Sequence, residues 1–239
     1  MLMGYGGLAL PYDVPANEFM TMGGFKASSS RGNVIWTRGV LDEYGPDALR
    51  FYLASTLPEG RDTDFTYDEL VRRNNEELVS IYGNAAHRVL TFLQRHFEGR
   101  APEPGPLRPS DEAMLAEVRR GFVAAAANIE AVRLRDGLAE ALAVARAANR
   151  YLDERAPWRE IKADRVGAAT TLYTMIQVLN GLKVLFAPYL PHSSQRLHEL
   201  LGFAGDVAAC PWRLEVAPAG QRLPAPTPLF QKFDAPAAP

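Results

Sequence analysis

Apolar residues are spaced in two different ways along this chain. Up to about residue 66 they come in short runs broken by glycine, proline and serine. Beyond it they recur at intervals of three and four over long stretches. In the first zone Val14–Met22 (VPANEFMTM) reads as a strand that leads into a Gly- and Ser-rich loop over Gly23–Asn33. Helical spacing follows over Thr37–Tyr44 and again over Pro46–Thr56. There Pro46 and Asp47 suit a first turn, and Leu49, Phe51, Tyr52 and Leu53 supply the apolar faces. Arg61–Phe65 is too short to assign.

The second zone predicts helices. Thr66 is a cap candidate, with Glu69 as its capping-box partner. Leu78, Ile81, Tyr82, Ala85, Val89 and Phe92 then trace one amphipathic helix of about 25 residues. Gly99–Pro109 is a Pro- and Gly-rich loop. Ser110, with Asp111 and Glu112, opens a second helix running through Val123. An alanine-rich third helix covers Ile129–Leu152, with its stripe at Val132, Leu138, Leu142, Ala145 and Tyr151, and stops before Pro157. Val166–Phe186 is a fourth. Ser193 or Ser194 opens a short fifth that ends at Gly202. The fold expected is mainly α: an antiparallel α-helical bundle preceded by a small α/β piece. A tail follows, with extended candidates at Arg213–Val216 and Leu229–Phe233.

Composition narrows the classes. The 239 residues are 47% hydrophobic and 23% charged, as in an ordinary globular protein. No apolar run reaches the roughly 18–20 residues that span a bilayer. The single cysteine, Cys210, excludes an internal disulfide and a multi-cysteine zinc site. A net charge of −2 argues against nucleic-acid binding through bulk positive charge. It leaves room for reading exposed bases, where stacking and edge hydrogen bonds need few charges.

Three groups of residues carry candidate chemistry. Lys26-Ala27-Ser28-Ser29-Ser30-Arg31 places an amine, three hydroxyls and a guanidinium in one glycine-flanked loop, donors suited to phosphate oxygens; alone, such a loop is more often a polar turn. Asn84 and Arg88, four residues apart, share a helix face and suit base edges, although a solvated face has the same spacing. Trp158, after Pro157, is either a core plug or a stacking platform for an unpaired base. Asp153 lies close by in sequence, where it also suits a helix-end partner of Arg150 or Arg155. Trp36 and Trp212 are expected to pack. The four histidines, His87, His96, His192 and His198, show no metal-ligand spacing.

Several motifs occur in one order: PANEF, the Lys-Ser loop, DALRFYL, RDTDF with NNEEL, IYGNAAHR, ERAPW and a closing PLF. Together they resemble the C-terminal half of methionyl-tRNA synthetase, a class I enzyme, in the subtype whose loop reads K-F/I-S-T/S-S-R. The resemblance implies three parts. Residues 1–66 would be the signature-loop and stem-contact region of a catalytic domain, 67–211 a helical anticodon-binding domain, and 212–239 a tail running back over the surface. It implies a cytoplasmic ligase that charges tRNA-Met, with methionine and ATP-Mg2+ as its small molecules. Lys26, Ser28, Ser30 and Arg31 would act on ATP, while Asn84, Arg88, Trp158 and Asp153 would read the anticodon stem-loop. Ala27 departs from the larger apolar residue of that loop. Ser29 stands where K-M-S-K-S has its second lysine, and Arg31 is placed to compensate.

No histidine here is followed by x-Gly-His, the second nucleotide motif of class I synthetases. The chain is therefore expected to need an N-terminal catalytic half, in cis or in trans, to be inactive alone, and to hold no cofactor tightly by itself. Two alternatives stay open: a non-catalytic paralogue that binds tRNA or acts as a partner subunit, and a component of an amino-acid ligase that does not use tRNA.

Overall fold

The computed structural model describes residues 11–234 apart from 29, 31 and 33. The extended segment at the start forms a strand only at its end, β1 (Met20–Met22). Its partner is the segment too short to assign from sequence, β2 (Thr63–Phe65). The two run parallel, with Met20 opposite Thr63 and Met22 opposite Phe65. Between them lie α1 (Thr37–Tyr44) and α2 (Pro46–Ser55). Gly45 sits at φ 76° between these helices, a turn that an L side chain rarely makes. α2 faces two ways. Ala48, Leu49 and Tyr52 join a small core with Val40, Phe65, Leu70 and Val71. Phe51, on the other side, belongs to the large core of the bundle.

The long amphipathic helix is three segments in succession: α3 (Tyr67–Arg73), a π-helix (Asn74–Gly83) and α4 (Asn84–His96). Thr66 caps it as expected, its hydroxyl accepting from the Glu69 amide at 3.3 Å. The reciprocal half of the capping box is absent. The Thr66 amide donates to the buried Tyr52 hydroxyl at 3.0 Å, while the Glu69 carboxylate binds Arg72 and Arg73.

α5 (Pro109–Glu130) and α6 (Leu134–Arg155) differ from their predicted bounds. The chain turns at residues 131–133, where Val132 takes φ 57° and is exposed instead of joining the core stripe. α6 ends at Ala156, in the left-handed region, and a single turn, α7 (Pro157–Glu160), follows. α8 (Arg165–Phe186) is buried along most of its length and is the central helix of the bundle. α9 (Pro191–Leu200) starts at Pro191, ahead of the serines expected to open it. The helices pack as a bundle around one core that includes Leu138, Leu142, Leu172, Leu179 and Leu185.

The two extended candidates of the tail form no strand. Side-chain amides hold this backbone instead. Gln177 exchanges two hydrogen bonds with Ala217, at 2.7 and 3.0 Å, and Asn180 donates to the Glu215 carbonyl at 2.7 Å. Trp212 packs edge-on against Phe122, as expected, whereas Trp36 precedes α1 with its side chain 76% exposed.

Candidate functional site

Asn84 is the first residue of α4 and Arg88 lies one turn along. The Asn84 side chain is exposed and makes no hydrogen bond to the other described residues. Arg88 is half-buried and donates to Asp153 at 2.8 Å, with its guanidinium carbon 4.6 Å from the centre of the Trp158 ring. Asp153 thus partners Arg88, not Arg150 or Arg155. Arg88, Asp153 and Trp158, from α4, α6 and α7, meet on one face, and Asn84 lies one helical turn before Arg88.

Trp158 owes its place to the break after α6. Ala156 at φ 41° turns the chain, Pro157 is buried at the first position of α7, and Trp158 rests partly buried on the bundle core. An ionic hub fastens this turn from below. Glu160 accepts from Arg155 at 2.8 Å and from Arg108 at 2.9 Å, and Arg108 also binds Asp111 at 3.0 Å. The fully buried Asp111 accepts a 2.7 Å bond from the Tyr151 hydroxyl. Burial alone would raise the Asp111 carboxyl, but hydrogen bonds from Arg108 and Tyr151 outweigh it and hold the group below the usual carboxylate range. Burial pushes Glu160 up, against the opposing charge of Arg108. Sequence reasoning assigned Asp111 to a helix start and Tyr151 to the apolar stripe, and singled out neither Arg108 nor Glu160. Nothing in local spacing shows that they meet.

Beside Asn84 a cleft of about 430 Å³ opens between α4 and the tail, lined by Gly83, Asn84, His87, Phe230 and Lys232 among others. The tail reaches it because Asn74 donates to the Gln231 carbonyl and Asn75 to that of Phe233, both at 2.8 Å. The Phe233 amide returns a bond to Asn75 at 3.0 Å.

The Lys-Ser loop leaves the end of β1, beside the small core. Gly23 and Gly24 take φ 60° and 81°, and Met22 and Phe25 exchange backbone hydrogen bonds across this turn. Asp64 of β2 pins its base, accepting from Thr21 at 2.6 Å and from the Gly24 amide at 2.9 Å. These bonds, Thr21 first, hold the Asp64 carboxyl below its ordinary value. The Ser28 and Ser30 hydroxyls are 3.2 Å apart, and Lys26 is exposed. Ser29 and Arg31 lie outside the described residues. Among the described residues no group of three His, Cys, Asp or Glu is placed to hold a metal, and no helix is long and apolar enough to cross a membrane.

This geometry coincides with family-level similarity. Residues 101–237 match the model of the anticodon binding domain of methionyl tRNA ligase, and residues 1–90 match that of class I tRNA synthetases of the methionine type. The chain belongs to the methionyl-tRNA ligase family. It is 44% identical to the methionine–tRNA ligase of Roseiflexus castenholzii and 46% identical to that of Dehalococcoides mccartyi, each over 98% of this chain. It spans under half the length of these relatives, 44% and 42%. Among solved structures, the free Mycobacterium tuberculosis methionyl-tRNA synthetase superposes with a TM-score of 0.84 at 26% identity, over 98% of this chain and 46% of that one. The same enzyme bound to methionyl-adenylate gives 0.86 at 27%, over 96% and 46%. Within this methionyl-tRNA ligase frame, the mainly helical fold expected from periodicity is the fold observed.

Proposed function

We propose that this chain supplies the anticodon-reading bundle and the ATP-loop segment of a methionine–tRNA ligase, which joins methionine to tRNA-Met through an adenylate formed from ATP. The division into 1–66, 67–211 and a tail from 212 is part of this reading. One observation carries it: Arg88, Asp153 and Trp158 arrive from three helices at one exposed face, with the unpartnered Asn84 amide one turn away.

The chemistry of the face suits unpaired bases of the CAU anticodon. Trp158 offers a ring fixed from below and open enough to stack on. Stacking of this kind is worth about 1–3 kcal/mol per base. Asn84 offers a donor and an acceptor, which together distinguish a base edge. Arg88 offers a fork of donors aimed by Asp153. The 4.6 Å between guanidinium and ring admits no base between them, so a base stacking on that side displaces Arg88 into an edge contact. The Asp153 carboxylate then steadies the displaced guanidinium.

In the loop, Lys26, Ser28, Ser30 and Arg31 all supply hydrogen-bond donors and no negative charge. That set fits phosphate oxygens whose charge grows as pyrophosphate leaves. It offers no carboxylate for Mg2+, which would arrive on the triphosphate. Adenylate formation also calls on a His-x-Gly-His element that this sequence does not contain. With methionine and ATP, this chain alone is expected to show no pyrophosphate exchange; exchange at the rate of a full-length family enzyme would overturn that part of the reading.

The deciding experiment is equilibrium binding of a CAU anticodon stem-loop against one with a single changed anticodon base, at fixed salt. The expected result is a preference for CAU that Trp158→Ala reduces by about tenfold or more. Equal binding of both loops would remove the anticodon role and favour a ligase component that does not use tRNA.

A further inference from the structure

The reader residues stand on α4, and α4 emerges from ten residues of π-helix. A π turn contains one residue more than an α turn, so each such turn rotates everything that follows by one residue's share of the helix, about 100°, and the ten residues here make about two such turns, roughly half a circle in all. Were this segment α-helical, Arg88 would point away from Trp158 and Asp153, and Asn84, one turn before it, would turn with it. The π geometry therefore decides whether the face exists at all. It is intrinsically unfavourable, because it widens the helix and misaligns its hydrogen bonds, so something must hold it.

Two asparagines are placed to do so. Asn149, on α6, donates its side-chain amide to the Ile81 carbonyl at 2.9 Å, while its second bond goes to its own helix at Ala145, 3.1 Å. Ile81 lies inside the π segment, three residues before Asn84. Asn75, near the start of the segment, holds the tail through its two bonds with Phe233. The tail in turn sets Phe230 against the Tyr82 ring, with centroids 5.6 Å apart, and over Gly83, where an added Cβ would lie 3.0 Å from Phe230. The Ser80 hydroxyl caps the Asn75 carbonyl at 2.7 Å. One asparagine thus grips the end of the π segment from the bundle, and the other grips its start through the tail.

We infer that Asn149 and Asn75 are positioning residues for RNA recognition: they fix the rotational phase of α4, and thereby bring Asn84 and Arg88 onto the Trp158 face. These bonds of both asparagines go to backbone groups within the protein, away from the Arg88–Trp158 contact. The inference rests on the anticodon reading for its purpose, but the phase itself is observable without RNA.

Asn149→Ala and Asn75→Ala test it from opposite ends of the segment. The Asn75 variant leaves the bundle packing intact should the Asn149 variant fail to fold. The first readout is the Arg88 side-chain NH resonance by NMR, which lies over the Trp158 ring and carries its ring-current shift. The second is the ratio of affinities for the CAU stem-loop and a single-base variant. Both substitutions are expected to abolish the ring shift and lower the ratio about tenfold. Overall helicity and affinity for the changed loop should stay within twofold. A ring shift retained in both variants, or a ratio unchanged where the wild type discriminates, overturns the inference. A wild type that does not discriminate overturns the anticodon reading instead, and the ring shift then decides the phase on its own.

Discussion

Lys183 shows what a single residue can reveal here. It is 2% exposed on α8, donates to His198 Nδ1 at 2.8 Å, and lies 3.7 Å from the centre of the Phe203 ring. The His198 Nε2 atom faces the Ala204 carbonyl at 3.1 Å, which assigns the ring proton to Nε2 and leaves Nδ1 as the acceptor. Burial lowers the Lys183 amine to about 8, against partial compensation from Cys210 and Glu215. The ordinary value, kept in the unfolded chain, is 10.5. Below pH 8 both states carry the proton and the cost of burying it is fully present. Between about 8 and 10.5 the unfolded chain holds a proton that the native chain has released, so stability rises with pH. Lys183→Met is expected to remove that rise and to raise stability at pH 7 by about 1–2 kcal/mol, with the Cys210 thiol, 3.8 Å from Nδ1, left to face the imidazole. Urea midpoints of both proteins across this range check it. Tyr44 and Tyr189, each pushed by burial to about 12, oppose the rise equally in both and cancel in the difference. None of this was legible in sequence, where His198 and Cys210 read as isolated residues. The pair Asn84 and Arg88 was legible because four residues on a helix is a local relation. The meeting of Arg88 with Trp158 and Asp153 needed two further helices.

At the scale of elements, periodicity found the helices and missed what interrupts them. Val132 matches the apolar spacing of α6, yet it sits in the turn before that helix. The π segment opens on four polar residues, Asn74–Glu77, with Asn74 buried, and from Leu78 on its apolar residues keep the ordinary helical spacing, so nothing in the pattern marks the widened turns. Where helices cross closely, glycine carries the information. Gly121 on α5 faces α6 so tightly that a Cβ there would lie 2.5 Å from Val144 Cγ2. Gly121→Ala gains about 1 kcal/mol of helix propensity and incurs about 1–3 kcal/mol of overpacking. The expected net effect is lower stability, recovered when Val144→Ala is added. Thermal unfolding of the single and double variants checks the sign, and an additive pair would mean that the two residues do not compete for space.

At the scale of the whole molecule, the question is how the small core and the bundle act as one body. The seam between them is polar. Asp47 of α2 accepts from the Ser193 amide at 2.6 Å and from its hydroxyl at 2.5 Å, so a carboxylate from the small core caps the start of α9. Arg50, one turn on, donates to the carbonyls of Pro188 and Tyr189 at 2.8 Å each. Glu59 accepts from the Arg135 amide at the start of α6, at 3.0 Å. Sequence marked Asp47 as a first-turn residue of its own helix. Its distant role stayed hidden because α9 lies almost 150 residues further along. Phe51 adds an apolar peg from α2 into the bundle core. With these links intact, unfolding is expected to be a single calorimetric transition. Asp47→Ala strips α9 of its cap and leaves buried donors of Ser193 unpaired, a loss of about 2–3 kcal/mol. The loss falls on the seam, not on either core. The transition should therefore split, the small core melting first and the bundle keeping its own midpoint. A single transition shifted down as a whole would instead place Asp47 inside one cooperative unit, with the loop of Lys26 and the face of Trp158 rising and falling together in stability.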